Sequence, residues 1–299
     1  MTAKCALLDE DTALVGLTEA SGINLVSEPE RNPSKLTNIG TGQILAKLVE
    51  RGYKTIIVGV GGSATNDGGI GLLIPLGFKF LDKDGNDIEP NGAGIAKLAK
   101  IVPPAAKIST KFIVATDIST PLLGENGAAL QFAEQKGATR EEPEQLEANM
   151  KHLVDVAQRV LARACMTLRS RFGRRMRIRI NDILDAKRVS GFDLFAKYAD
   201  LESHIKSCNI LIISEGKFDK TDAQGKGPYA LAKLAAKYKK PVWIFCGSAD
   251  VTDKDLADMK LSDVKIGQIL PMAPNMVEAQ NRAPKFLSHL ARDFVAALK

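Results

Sequence analysis

Lys54-Thr-Ile-Ile-Val-Gly-Val-Gly-Gly-Ser-Ala-Thr-Asn-Asp-Gly-Gly69 is the stretch on which the fold turns. Residues 54–60 form a β-branched apolar run without alternation, which predicts a strand buried on both faces of a parallel sheet. Residues 61–69 then hold four glycines and four short polar side chains, Ser63, Thr65, Asn66 and Asp67, with nothing bulky among them. Glycines let the backbone approach a ligand closely, and exposed N–H groups in such a loop can cradle an anion. A plain tight turn does not need that composition. Open α/β sheets place ligands at the carboxyl ends of their strands, so this loop is the first candidate site.

Outward from it the same grammar repeats. Upstream, Ile44, Leu45, Leu48 and Val49 fall at helical spacing and predict a helix over residues 43–51, stopped at Gly52. Downstream, residues 78–81 predict a strand closed by the turn 82–86, and residues 112–115 a strand running into Thr116 and Asp117. Thr139 with Glu142 has the spacing of a capping box, opening a long helix with Leu146, Met150, Leu153, Val154, Ala157 and Leu161 on its seam. A strand at 210–213, a helix at 228–238 and a strand at 242–246 make a βαβ unit. A short strand near 268–270 and an amphipathic C-terminal helix finish an α/β chain.

Two further loops carry chemistry. Asp117 follows a buried strand, a common place for a Mg²⁺ ligand or general base and equally for a turn or cap. The stretch 214–226 brings Glu215, Gly216 and Asp219 together with Gly225 and Lys226 ahead of a helix whose N-terminus can meet a phosphate. Carboxylates plus a lysine are the parts that phosphoryl transfer needs. Gln224-Gly-Lys-Gly227 lacks the spacing and hydroxyl of a P-loop.

Composition removes several alternatives. The 299 residues, 45% hydrophobic and 25% charged, describe a globular chain rather than a disordered or fibrous one. Cys5, Cys165, Cys208 and Cys246 lie far apart with no metal-binding spacing, and the three histidines sit in no catalytic motif. No apolar run spans a bilayer and the N-terminus lacks a signal-peptide pattern, so the expectation is a cytoplasmic protein with no membrane partner. The net charge of +6 arises from a single tract: seven arginines lie between Arg163 and Arg179 with no acid, and without them the net charge is −1. That tract holds one aromatic residue, Phe172, and matches no recognition module, so nucleic acid is not an expected partner.

The motifs resemble those of the bacterial-type, ATP-dependent glycerate kinases. The matching stretches are Ala20-Ser-Gly22, Arg31-Asn-Pro33, Gly40-Thr-Gly42, the loop from Gly59 to Gly69, Thr116-Asp117 with Pro121-Leu-Leu-Gly124, Gln135-Lys-Gly-Ala138, Glu215-Gly216 with Asp219, and Gly225-Lys226. The resemblance implies a two-domain α/β kinase, with an inserted α/β domain in residues 1–205 and the C-terminal part of a flavodoxin-like three-layer domain in residues 206–299. It implies phosphorylation of D-glycerate with ATP and Mg²⁺, with a homodimer left open. Gly61, Gly62, Ser63, Thr65, Asn66, Asp67, Gly216 and Gly225 are then expected to bind substrate and phosphates. Asp117, Glu215, Asp219 and Lys226 become the catalytic candidates, and Asp117 and Asp219 the metal ligands.

Two departures from the family pattern stand out. Its opening strand and first two polar loops would lie upstream of residue 1, giving the expectation of an N-terminally truncated chain. In the anomalous tract, 165–187, arginines stand where the family has a glycine loop. Codons for residues 172–184 can be chosen so that a one-base shift reads S-G-G-G-C-G-Y-G-L-M-T-F-L, which suggests a compensated frameshift that resequencing would decide. Both departures raise an alternative, a catalytically impaired remnant of the kinase.

Overall fold

The computed structural model describes residues 2–117, 120–167, 186–220, 227–261 and 263–298. Two compact units divide the chain, Met1–Gly191 and Phe192–Lys299. The arginine-rich residues 168–185 and the loop residues 221–226, Gly225 and Lys226 included, lie outside the described residues.

In chain order the first unit contains β1 (Ala6–Leu7), β2 (Thr12–Gly16), α1 (Thr18–Ser21), α2 (Ile39–Glu50), β3 (Thr55–Gly59), α3 (Ile70–Leu73), β4 (Lys79–Leu81), β5 (Lys100–Val102), β6 (Lys111–Ala115), α4 (Ala128–Phe132), α5 (Glu142–Thr167) and β7 (Lys187–Val189). Its main sheet has the order β1-β2-β3-β6-β7. β2, β3, β6 and β7 run parallel, and β1 closes one edge antiparallel to β2. The unalternating run that predicted a buried strand is β3, central in this sheet, with Ile56, Ile57 and Val58 all buried.

The hydrophobic core joins Val15, Ile56, Val58 and Phe112 of the sheet to Leu45 and Leu48 of α2 and to Leu153, Val156 and Ala157 of α5. Each such fully buried aliphatic side chain stabilises the fold by about 1.5–3 kcal/mol relative to exposure. α2 begins at Ile39, four residues before the expected start at 43, and its first turn packs tightly on α3. A Cβ on Gly42 would lie 2.6 Å from the Gly71 carbonyl oxygen and 2.8 Å from that of Leu72. α5 forms with Leu146, Met150, Leu153, Val154 and Ala157 buried as its seam predicts. Glu142 makes its half of the capping box by accepting the Thr139 N–H at 2.7 Å.

α6 (Gly191–Tyr198) starts where the first unit ends. The second unit adds α7 (Leu201–Ser207), β8 (Leu211–Asp219), α8 (Gly227–Lys237), β9 (Val242–Asp250), α9 (Asp253–Asp258), β10 (Val264–Gln268), α10 (Met276–Asn281) and α11 (Ala283–Ala296). Its parallel sheet has the order β10-β9-β8 and is covered on both faces. Ile213, Val242 and Ile244 pack with Ala232 and Ala235 of α8. Trp243 and Phe245 point the other way onto Phe286 and Leu290 of α11. Phe294 meets both rings edge-on, with centroids 5.2 and 5.0 Å away.

One sequence expectation is corrected in this sheet. Residues 214–219, read as the start of a loop, continue strand β8 and pair with β9 as far as Asp219 opposite Asp250. Glu-Gly-Lys-Phe-Asp has turn composition, but Phe218 is fully buried and anchors the extension.

Candidate functional site

The loop after β3 is fixed from three sides. Ile23 N–H donates to the Gly62 carbonyl at 2.9 Å, Ala64 N–H to Ser21 O at 3.0 Å, and Asn66 N–H to Pro33 O at 3.2 Å. Gly62 has φ +72°, a backbone conformation that a side chain strains, and a Cβ there would lie 2.7 Å from Thr18 Cγ2. The stretches around Ala20–Gly22 and Arg31–Pro33, scattered in sequence, are thus the clamps of one loop.

Asp67 ties the knot. Its side chain is buried and accepts four hydrogen bonds: Asn38 N–H at 2.8 Å and Gly71 N–H at 3.3 Å on Oδ2, Asn38 Nδ2–H at 2.8 Å and Gly69 N–H at 2.9 Å on Oδ1. Burial pushes its carboxyl up from the ordinary value, opposed by these donors, which favour the ionised form. Asn38 sits where a helix N-cap residue would, yet makes no cap hydrogen bond and turns its amide to Asp67 instead. A Cβ on Gly71 would lie 2.7 Å from Asp67 Oδ2, so glycine is what admits the carboxylate.

Behind this loop lies a cavity of about 370 Å³. Its floor is apolar, made by Leu45, Val58, Leu73, Phe112, Val114 and Met150. Ser63, Thr65, Asn66, Asp67, Thr116 and Lys136 supply polar groups to its wall. Most surface of a small-molecule site is expected to be apolar, with a few convergent polar groups fixing orientation. Ser63 Oγ lies 3.1 Å from Thr65 Oγ1. Lys136 Nζ donates to the Thr65 carbonyl at 2.7 Å and reaches Ser63 Oγ at 3.5 Å.

Of the residues expected from sequence, Ser63, Thr65, Asn66 and Asp67 line this cavity, whereas Gly61 and Gly62 do not and shape the exposed outer edge of the loop. Asp117, two residues beyond β6, accepts Ser190 Oγ–H at 2.9 Å, and a Cβ on Gly191 would come within 2.9 Å of its Oδ2. It therefore stands over the start of α6. Glu215 and Gly216 lie in β8, and Asp219, its last residue, pairs with Lys217 at 3.2 Å. Among the described residues no three His, Cys, Asp or Glu gather as a metal site. Asn38 was missed in sequence because its partner lies 29 positions away. Lys136 was visible only as part of Gln135-Lys-Gly-Ala138.

Comparison with known proteins places these features in a family. The model of the glycerate kinase family matches residues 1–299. A glycerate kinase of Bacillus subtilis is 33% identical over 298 residues, covering 97% of this chain and 77% of its own. A glycerate 2-kinase of Escherichia coli is 35% identical over 247 residues, covering 80% of this chain and 64% of its own. A crystal structure assigned provisionally as glycerate kinase 2, from Salmonella typhimurium LT2, superposes with a TM-score of 0.66 at 28% identity, over 96% of this chain and 75% of its own. In fold and in sequence alike, this chain belongs to the glycerate kinase family and is a kinase acting on a small-molecule substrate.

Proposed function

We propose that the protein transfers the γ-phosphoryl group of ATP to a hydroxyl of D-glycerate. The observation that carries this reading is the braced loop of residues 61–69, which presents Ser63, Thr65 and Asn66 to a cavity of about 370 Å³, room for a small organic acid. Fixed polar groups suit phosphoryl transfer, where catalysis is chiefly positioning and charge stabilisation. In the reaction the glycerate oxygen forms a bond to the γ-phosphorus as the bond to the β-bridging oxygen breaks. The hydroxyl proton passes to a carboxylate, for which Asp117, Glu215 and Asp219 are the candidates.

Asp117 and Asp219 each offer a hard oxygen donor at a strand end, the ligand chemistry that Mg²⁺ prefers, and each is a proposed ligand for the ion that accompanies the nucleotide. Mg²⁺ bound to the phosphates supplies charge neutralisation. Gly216, Gly225 and Lys226 remain the proposed phosphate contacts of the second unit. The name of the Escherichia coli relative supports the 2-hydroxyl as acceptor.

A coupled ADP-release assay with D-glycerate and Mg-ATP tests the reading, and ³¹P NMR of the product identifies the position. Turnover dependent on both substrates supports it. Folded protein with no turnover above background overturns it and leaves the impaired form of the kinase.

A further inference from the structure

The cavity behind the loop contains a cation whose donors the fold does not use up. Lys136 is half-buried and closes a single 3₁₀ turn, Glu134–Lys136. Gly137 follows with φ +92°, and a Cβ there would lie 2.4 Å from the Arg31 carbonyl oxygen, so this turn is seated against the same segment that clamps the loop. The ammonium has three donors. One goes to the Thr65 carbonyl at 2.7 Å and a second, long, to Ser63 Oγ at 3.5 Å. Among the described residues no carboxylate forms an ion pair with it; Asp67, the nearest opposing charge, spends its oxygens on four other donors. Arg188, the other cation of the lining, has a contact of its own.

A half-buried ammonium with a donor to spare beside two hydroxyls, Ser63 and Thr65, has the chemistry to hold a monovalent anion. One ammonium suffices for a carboxylate, whereas a triphosphate carries more charge than Lys136 and Arg188 together offset. Resting on the proposed function, we infer that Lys136 binds the carboxylate of the hydroxy-acid acceptor, with Ser63 and Thr65 as hydroxyl partners. Burial also pushes the Lys136 ammonium down from its ordinary value, with Asp67 partly offsetting it.

The test uses the full chain as Lys136→Met and Lys136→Arg, with calorimetric titration of glycerate, of its neutral amide glyceramide and of ATP. A charge-assisted hydrogen bond predicts glycerate binding weakened about 10- to 100-fold in Lys136→Met, partly restored in Lys136→Arg. Binding of glyceramide and of ATP should change less than about twofold. Equal weakening of glycerate and glyceramide, or weakening of ATP instead, overturns the assignment. So does undiminished glycerate binding, or none in the unsubstituted chain. Loss of glycerate binding in Lys136→Met beside a chain that binds glycerate but never turns it over would uphold the lysine and refute the kinase reading. Should Lys136→Met not fold, the unsubstituted chain still decides: glycerate, and not glyceramide, must protect Lys136 from acylation mapped by mass spectrometry. Absence of that protection refutes it.

Discussion

Replacing Asp67 by asparagine separates the two reasons a buried carboxylate could be present. Each of its oxygens takes two N–H donors, from Asn38 and Gly71 on one and from Asn38 and Gly69 on the other. An amide nitrogen in place of either oxygen turns a donor toward two donors. A buried donor left unsatisfied costs about 1–3 kcal/mol, and the free Oδ1 of Asn38 can swing round to rescue one contact. The expected destabilisation is about 2–4 kcal/mol for Asp67→Asn, and more for Asp67→Ala, which strands all four donors. Urea unfolding followed by far-UV circular dichroism measures it, with fluorescence of Trp243, in the second unit, as an internal control. Because burial raises the Asp67 carboxyl above 3.8, its contribution is complete below that pH and declines as pH rises through the folded value, so the gap to Asp67→Asn narrows on raising pH. An asparagine variant as stable as the parent at every pH would refute the brace: the carboxylate would then be a burden on the fold, kept for chemistry alone.

Three further outcomes follow from described contacts. Gly42→Ala drives a methyl into two backbone carbonyls between α2 and α3 and should cost about 1–3 kcal/mol, read from the same urea curves, despite alanine's better helix propensity; no loss would mean the helices can separate freely. Burial, with the Glu215 charge, pushes the Cys246 thiol up to about 11, so at pH 8 only about one in a thousand is thiolate. A disulfide reagent should label exposed Cys5 at once and Cys246 only after unfolding; equal rates in the native protein would contradict its burial. The Thr252 N–H and hydroxyl, with Lys220, draw Asp255 down to about 2. Its stabilisation is present above 3.8 and disappears as pH falls through about 2, so Asp255→Asn should unfold earlier than the parent at pH 7 and equally at pH 2. A gap that does not vary with pH would refute the capping box of α9 as its source.

What was legible in the sequence was what packing writes locally. A continuous β-branched run at residues 55–59 can only be satisfied by burial on both faces, and the seam of α5 leaves one face for the core. Strand β2 was not read, since Thr-Ala-Leu-Val-Gly is short and follows three acidic residues; its identity comes from pairing with β3. β7, Lys-Arg-Val, has no apolar signal and is held as an edge by β6. At the site, the loop composition announced itself, but its anchors did not. Asn38 was not read, lying five residues ahead of the expected helix, and Lys136 stood out only within Gln135-Lys-Gly-Ala138, because each acquires its meaning from a partner 29 or 71 positions distant.

That separation has a consequence in time. During synthesis the loop of residues 61–69 leaves the ribosome long before its lysine does. At about 5–20 residues per second, the 71 residues between Thr65 and Lys136 take roughly 4–14 s to make. Throughout that interval a nascent chain holds the glycine loop without its basic latch, and Asp117 waits a comparable time for Ser190. If Lys136 grips the substrate as proposed, ligand capture is acquired late on the ribosome, and a chain released before its 136th residue would carry the family's most conspicuous motif without that group.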